Sequence, residues 1–214
     1  MKRAVSATIL LILSHLAAAQ GLVRESVEEV VAVVDRTPIL ASDIDLAALL
    51  DLTTPSAVGT AAEYRSTLLD ARIRLEVQYR DLEISGVIYR LDLDVAGVRR
   101  SLLEAVGGIE AVRRDLSVFG LDESDLDELA LRICAVNAYA DQRLRPRISV
   151  SLQEIEAAYR DLTAELAAAG QEPPAMTAVH EQLHRLVAER KLNDEIERWV
   201  VRATAEREIT RFVR

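Results

Sequence analysis

Cysteine is almost missing from this chain: Cys134 is the only one in 214 residues. A single thiol cannot close an intrachain disulfide, so no disulfide scaffold can hold the fold together. Its place inside a helical pattern marks it as a small buried hydrophobe. Turn-formers are scarce as well, with eight glycines and five prolines, and aromatic residues make up only 4%. With Ala, Leu, Glu and Arg abundant, that scarcity points to long helices. A surplus of basic residues is also lacking. The formal net charge of -9 argues against nucleic acid as a partner and against a polybasic membrane-binding patch. The chain carries no G-x-x-x-x-G-K-[ST], no G-x-G-x-x-G and no G-x-S-x-G, so no phosphate-cradling loop or nucleophile elbow is expected. It shows no internal repeat and no low-complexity tract. What remains is 50% hydrophobic, enough for a real core in one domain.

The only long apolar run lies at the start. Lys2 and Arg3 precede an apolar stretch over residues 4–13, too short to span a bilayer comfortably, and Ala17, Ala18 and Ala19 offer an A-x-A site before Gln20. This reads as a cleaved secretory signal over residues 1–19, leaving an exported domain over 20–214 with no stable membrane insertion after cleavage. No cysteine follows the small residues, so a lipid anchor is not indicated.

Past Gln20 the pattern is mostly helical. A Val-rich run over 27–34, a break at Asp35, Arg36 and Thr37, and Pro38-Ile39-Leu40 predict a short hairpin. Ser42 with Asp45 suggests a capped helix through Leu50. A helix over 61–84 carries Leu68, Ala71, Leu75, Tyr79 and Leu82 on one face and stops at Gly86. Helices over 92–105 and 109–119 end at Gly107-Gly108 and Gly120. Asp122 caps a longer one reaching Leu144, with a stripe of Leu126, Leu129, Ile133, Val136, Ala140 and Leu144, closed by Pro146. Ser151 and Glu154 form a capping box for a helix bearing Leu152, Ile155, Tyr159, Leu162 and Leu166. The last helix covers 176–207, with Val179, Leu183, Leu186, Leu192, Ile196, Trp199 and Ala203 inward. Ile209, Phe212 and Val213 suggest a terminal strand.

One motif is sharp in form. His180-Glu181-Gln182-Leu183-His184 matches H-E-x-x-H on a helix, the spacing that sets two imidazoles on one face for zinc with the glutamate as general base. A zinc peptidase would need a third ligand, for which Glu195, Glu197, Glu206 and Glu208 lie downstream. Arg185 follows the second histidine, no strand upstream could bind substrate, and the helix begins directly after a Pro-containing loop. Both histidines flank the apolar stripe, so they read as boundary residues of an amphipathic helix. No metal, no cofactor and no enzymatic activity are expected.

The order of the segments carries more. VVAVVDRTPILASDIDL resembles the opening of SurA-type periplasmic chaperones, and LLDARIRLEVQYRDLEISGV resembles their second helix with its glycine exit. GLDESDLDELALRICAVNAYADQRLRPRISVSLQEIEAAY looks like their long helix and the junction after it, and LVAERKLNDEIERWVVRATAEREITRF looks like the returning helix and strand. The resemblance implies a mainly α, multi-helix chaperone domain with a short N-terminal β-hairpin and a C-terminal strand, the C-terminal helix packing back on the N-terminal helices. It also implies a periplasmic location and ATP-independent holding of unfolded or extended apolar polypeptides in outer-membrane protein assembly. The family's parvulin domain needs on the order of 100 residues, and the stretch between Tyr159 and Val179 cannot hold it, so no prolyl isomerase activity is implied. An envelope scaffold of the same fold and the zinc peptidase using His180, Glu181 and His184 are the alternatives. The groove residues are not assigned by the resemblance.

Overall fold

Val-rich sequence makes the first strand. In the computed structural model, which describes residues 28–52 and 59–212, β1 (Val30–Val34) turns into β2 (Thr37–Leu40), and a third strand, β3 (Ile209–Arg211), pairs with β1 on its other side. Both pairings are antiparallel, with Val34 opposite Thr37 and opposite Ile209. The tight turn puts Asp35 at φ 54°, a left-handed conformation that aspartate tolerates better than most residues. Asp35 also clamps the C-terminal strand: its N–H donates to the Glu208 carbonyl at 2.7 Å, and its carboxylate accepts the Glu208 N–H at 3.0 Å. The signal segment, the start of the domain at Gln20 and the strand residue Val213 lie outside the described residues.

Seven helices of the described residues follow the expected order: α1 (Ala41–Leu49), α2 (Ala61–Ile84), α3 (Val95–Ala105), α4 (Ile109–Val118), α5 (Glu123–Tyr139), α6 (Leu152–Ala168) and α7 (Met176–Ala205). α1 starts earlier than Ser42 suggests. The sheet ladder runs on to Ala41, whose N–H donates to the Glu29 carbonyl at 2.8 Å, so Leu40 becomes the cap and Asp43 accepts its N–H at 2.8 Å. α3 starts later than expected, because Asp94 caps it through the Gly97 N–H at 2.8 Å. A Cβ at position 97 would sit 2.2 Å from the Asp94 carboxylate, so any larger residue there would make the capping side chain shift.

α5 is capped by Asp122, which accepts the Ser124 N–H at 2.6 Å while Asp125 accepts the Asp122 N–H at 2.8 Å. The continuous helix expected to Leu144 instead widens into a π-turn over Ala140–Leu144 and tightens into a 3-10 turn over Arg145–Arg147. Pro146 accounts for this, since it lacks an N–H and its ring collides with the carbonyl four residues back.

Three apolar clusters result. The largest joins the sheet to α1, α2, α5 and α7 through Ala32, Val34, Ile39, Leu68, Val77, Leu82, Trp199 and Ala203. A second lies among α1, α3, α4 and α5, around Leu46, Leu103, Leu116 and Leu126. Each fully buried leucine among these contributes about 1.5–3 kcal/mol. The C-terminal helix thus returns onto α2, and the fold is mainly α with a hairpin and a C-terminal strand, as expected. The third cluster is a seam between α6 and α7, made by Ile155, Ala158, Leu183 and Val187. Two helices alone bury only a narrow stripe, which leaves Leu152 and Leu186 exposed rather than inward. No helix among the described residues is long and apolar enough to cross a membrane.

Candidate functional site

Residues 72, 76 and 80 recur every four positions on α2, so they line one face of that helix. Glu76 is wholly buried and accepts three charge-assisted hydrogen bonds at 3.1 Å: from Arg72 Nη1 and Arg132 Nε on one oxygen, and from Arg80 Nε on the other. Burial pushes the Glu76 carboxyl towards the neutral form. The Arg72 and Arg132 charges, with their hydrogen bonds, outweigh that and hold its pKa below the ordinary glutamate value. Arg132 also lies over the Tyr79 ring, 5.3 Å from its centroid, and Arg80 donates to Glu83 at 2.8 Å and to the Thr37 hydroxyl. Arg72 reaches Asp43 of α1 at 3.5 Å. One buried carboxylate therefore joins α1, α2, α5 and β2 into a rigid floor.

Next to that floor is an apolar cleft of about 290 Å³. Its walls are Leu68, Ala71 and Leu75 of α2, Leu129, Ile133 and Val136 of α5, with Ala47, Leu52 and Leu102 at its ends. Only Arg72 and Asn137 bring polar atoms to the lining. Arg72 is 6% exposed, and its Nε–H finds no acceptor among the described residues. A buried donor left this way carries a desolvation cost that a bound acceptor would remove. The cleft's apolar α2 and α5 residues all belong to the stripes recognised in the sequence, whereas Arg72 and Asn137 do not. Helical spacing says that the stripe residues point inward and leaves open whether anything packs opposite them.

Adjoining the cleft at Leu52, Leu102, Ile133 and Asn137 is a broad trough lined by Asp51, Asp92, Asp94, Glu104 and Asp141, with Arg100 as its one basic residue. Cys134 lines the trough too, yet the residue is 4% exposed. Burial pushes its thiol pKa up, and the Asp94 and Asp92 carboxylates add to the shift, so it stays an unreactive thiol.

The H-E-x-x-H segment lies elsewhere, on α7. His180 and His184 are half-buried beside the α6–α7 seam, and His180 Nδ1 is 3.8 Å from its neighbour Glu181. The downstream glutamates are not brought to them. α7 runs unbroken to Ala205, so Glu195 stands eleven residues, roughly 16 Å, beyond His184 along the axis. Glu195 pairs with Arg198 and Glu197 with Arg74, both at 2.6 Å. Glu206 and Glu208 lie still further on, and among the described residues no cluster of three or more His, Cys, Asp or Glu is placed to hold a metal ion. The chain matches no protein-family model, and no curated protein shows significant similarity to it.

Proposed function

We propose that the protein is an ATP-independent holding chaperone that binds unfolded or extended apolar polypeptides in the cleft between α2 and α5. In this reading it works in the periplasm, in outer-membrane protein assembly, and has no prolyl isomerase activity. The observation that carries it is the cleft itself: about 290 Å³ of apolar space open to solvent, large enough to seat one bulky client side chain. Its walls are fixed by the buried Glu76 network, so little ordering cost falls on binding. The order of segments resembling SurA-type chaperones supports the same reading. Net negative charge favours solubility and opposes self-association, as a protein handling aggregation-prone chains requires.

The test is dilution of a denatured outer-membrane β-barrel protein into buffer containing the chain from Gln20 onward, treated with chelator and followed by light scattering. Suppressed aggregation near equimolar ratio is the expected result. Unchanged scattering would sink the holding function and leave the envelope scaffold as the better account.

A further inference from the structure

Charge along the groove changes sharply over a short distance. The apolar cleft and the acidic trough share Leu52, Leu102, Ile133 and Asn137, so they lie side by side, and together they are termed the groove. Two of the trough carboxylates are already committed: Asp94 to the α3 cap, and Asp141 to Arg145 at 3.0 Å. Those of Asp51, Asp92 and Glu104 have no ion pair among the described residues, and all three residues are exposed. They come from three places, the end of α1, the segment before α3, and α3 itself, and converge on one trough. Arg100 alone opposes them there. The positive charge of Arg72, in the cleft, is already met by Glu76 and Asp43.

We infer that the groove selects extended polypeptide segments in which a bulky apolar residue lies within a few residues of lysine or arginine. The apolar side chain sits in the cleft and the cation sits over the trough. This rests on the holding function proposed above and names the class of segment it would take. The spacing fits. Asp51 directly precedes Leu52, which lines both cleft and trough, so a carboxylate with no ion pair among the described residues stands within a few residues' reach of an extended chain seated in the cleft.

Fluorescence anisotropy with short labelled Gly-Ser peptides tests this. One carries Leu-Phe followed closely by Arg-Arg, one has citrulline in place of both arginines, and one has Arg-Arg without the apolar pair. The first should bind about tenfold more tightly than the citrulline peptide at low ionic strength, the scale expected of a few exposed ion contacts. That gap should close at about 1 M salt, where the screening length falls to about 3 Å. It should also narrow clearly in the Asp92→Asn, Glu104→Gln double variant, which keeps Asp51. The charge-matched Asp161→Asn, Glu165→Gln variant on α6 should keep it. Equal affinity for the first two peptides would overturn the inference while leaving the holding function intact. So would Arg-Arg alone binding as tightly as the first peptide, which would mean simple ion exchange with an acidic protein. Binding of none of them would overturn it as well, and the light-scattering assay then decides whether the holding function falls with it.

Discussion

The indole nitrogen of Trp199 donates to the Asp81 carboxylate at 2.8 Å, joining α7 to α2 across 118 residues of chain. The other carboxylate oxygen accepts from Arg207 at 3.4 Å, and Arg207 in turn stands 3.8 Å from Asp35 in the hairpin turn. Tyr139 packs on the indole with ring centroids 4.6 Å apart. One side chain of α2 thus fixes the returning helix and steadies the strand that follows it.

Replacing Asp81 with alanine leaves the Trp199 N–H and the Arg207 guanidinium without their acceptor. Trp199 is 3% exposed, so water cannot substitute freely. The expected cost is about 1–3 kcal/mol in urea unfolding, with altered Trp199 fluorescence. An unchanged midpoint would mean that α7 is held by its apolar contacts alone.

Glu76 makes a stronger prediction. Glu76→Gln removes the one carboxylate that Arg72, Arg80 and Arg132 share, leaving them only the more exposed carboxylates of Asp43, Glu83 and Glu128 as partners; the cost should be about 3 kcal/mol. Replacing the buried members together, as Arg72→Met, Glu76→Met and Arg132→Met, should cost less than the single change, because no unpaired charge is then left inside. Chemical denaturation of both variants checks this. A triple variant much weaker than Glu76→Gln would mean that the network contributes net stability beyond satisfying its own charges.

Acid sensitivity should have a separate source at the α6–α7 pair. Lys191 donates to Glu154 at 2.6 Å, and Ser151 donates through its N–H at 2.8 Å and its hydroxyl at 2.9 Å. These contacts, the Lys191 bond foremost, hold the Glu154 carboxyl at about 2 against an ordinary value of 4.5. A carboxyl whose folded pKa is depressed stabilises the fold fully above its unfolded value and loses that contribution as pH falls through the folded one. The melting-temperature gap between wild type and Glu154→Gln should therefore be constant above about pH 4.5 and shrink towards pH 2. A gap that persists at pH 2 would mean that the Glu154 contacts do not depend on its charge.

Much of the architecture is legible because helices announce themselves by period and by their ends. Leu126 and Leu129 lie on the stripe that marks α5, Asp122 caps it, and Gly86 and Gly120 end their helices at φ 66° and 73°. What escapes is what depends on partners distant in sequence. Arg132 meets Glu76 from 56 residues away, and nothing local singles it out among the basic residues. A cue was present in Leu68, Arg72 and Glu76, spaced by four on one line of α2, which puts charge on an inward face. Ser42 failed as a cap because the sheet ladder extends one residue further than the turn pattern implies. The cleft was hidden for a related reason: Ala71, Leu75, Ile133 and Val136 carry the same periodic signal whether a neighbour covers them or leaves them open to a client.

That ambiguity can be broken at Ala71, which lines the cleft and is only half-buried. A phenyl group added by Ala71→Phe would project into open apolar space and occupy the volume that a client side chain needs. The helix-propensity cost is about 0.5 kcal/mol, and the added apolar contact should offset it. The expected outcome is a melting temperature within a few degrees of wild type together with loss of most aggregation suppression. If the ring proves too large and the fold weakens, Leu75→Gln, which makes the same wall polar with little change in volume, gives the same comparison. Suppression that survives both substitutions in folded protein would place client binding outside the cleft. Loss of suppression at unchanged stability would mean that the open apolar stripe is where the client binds.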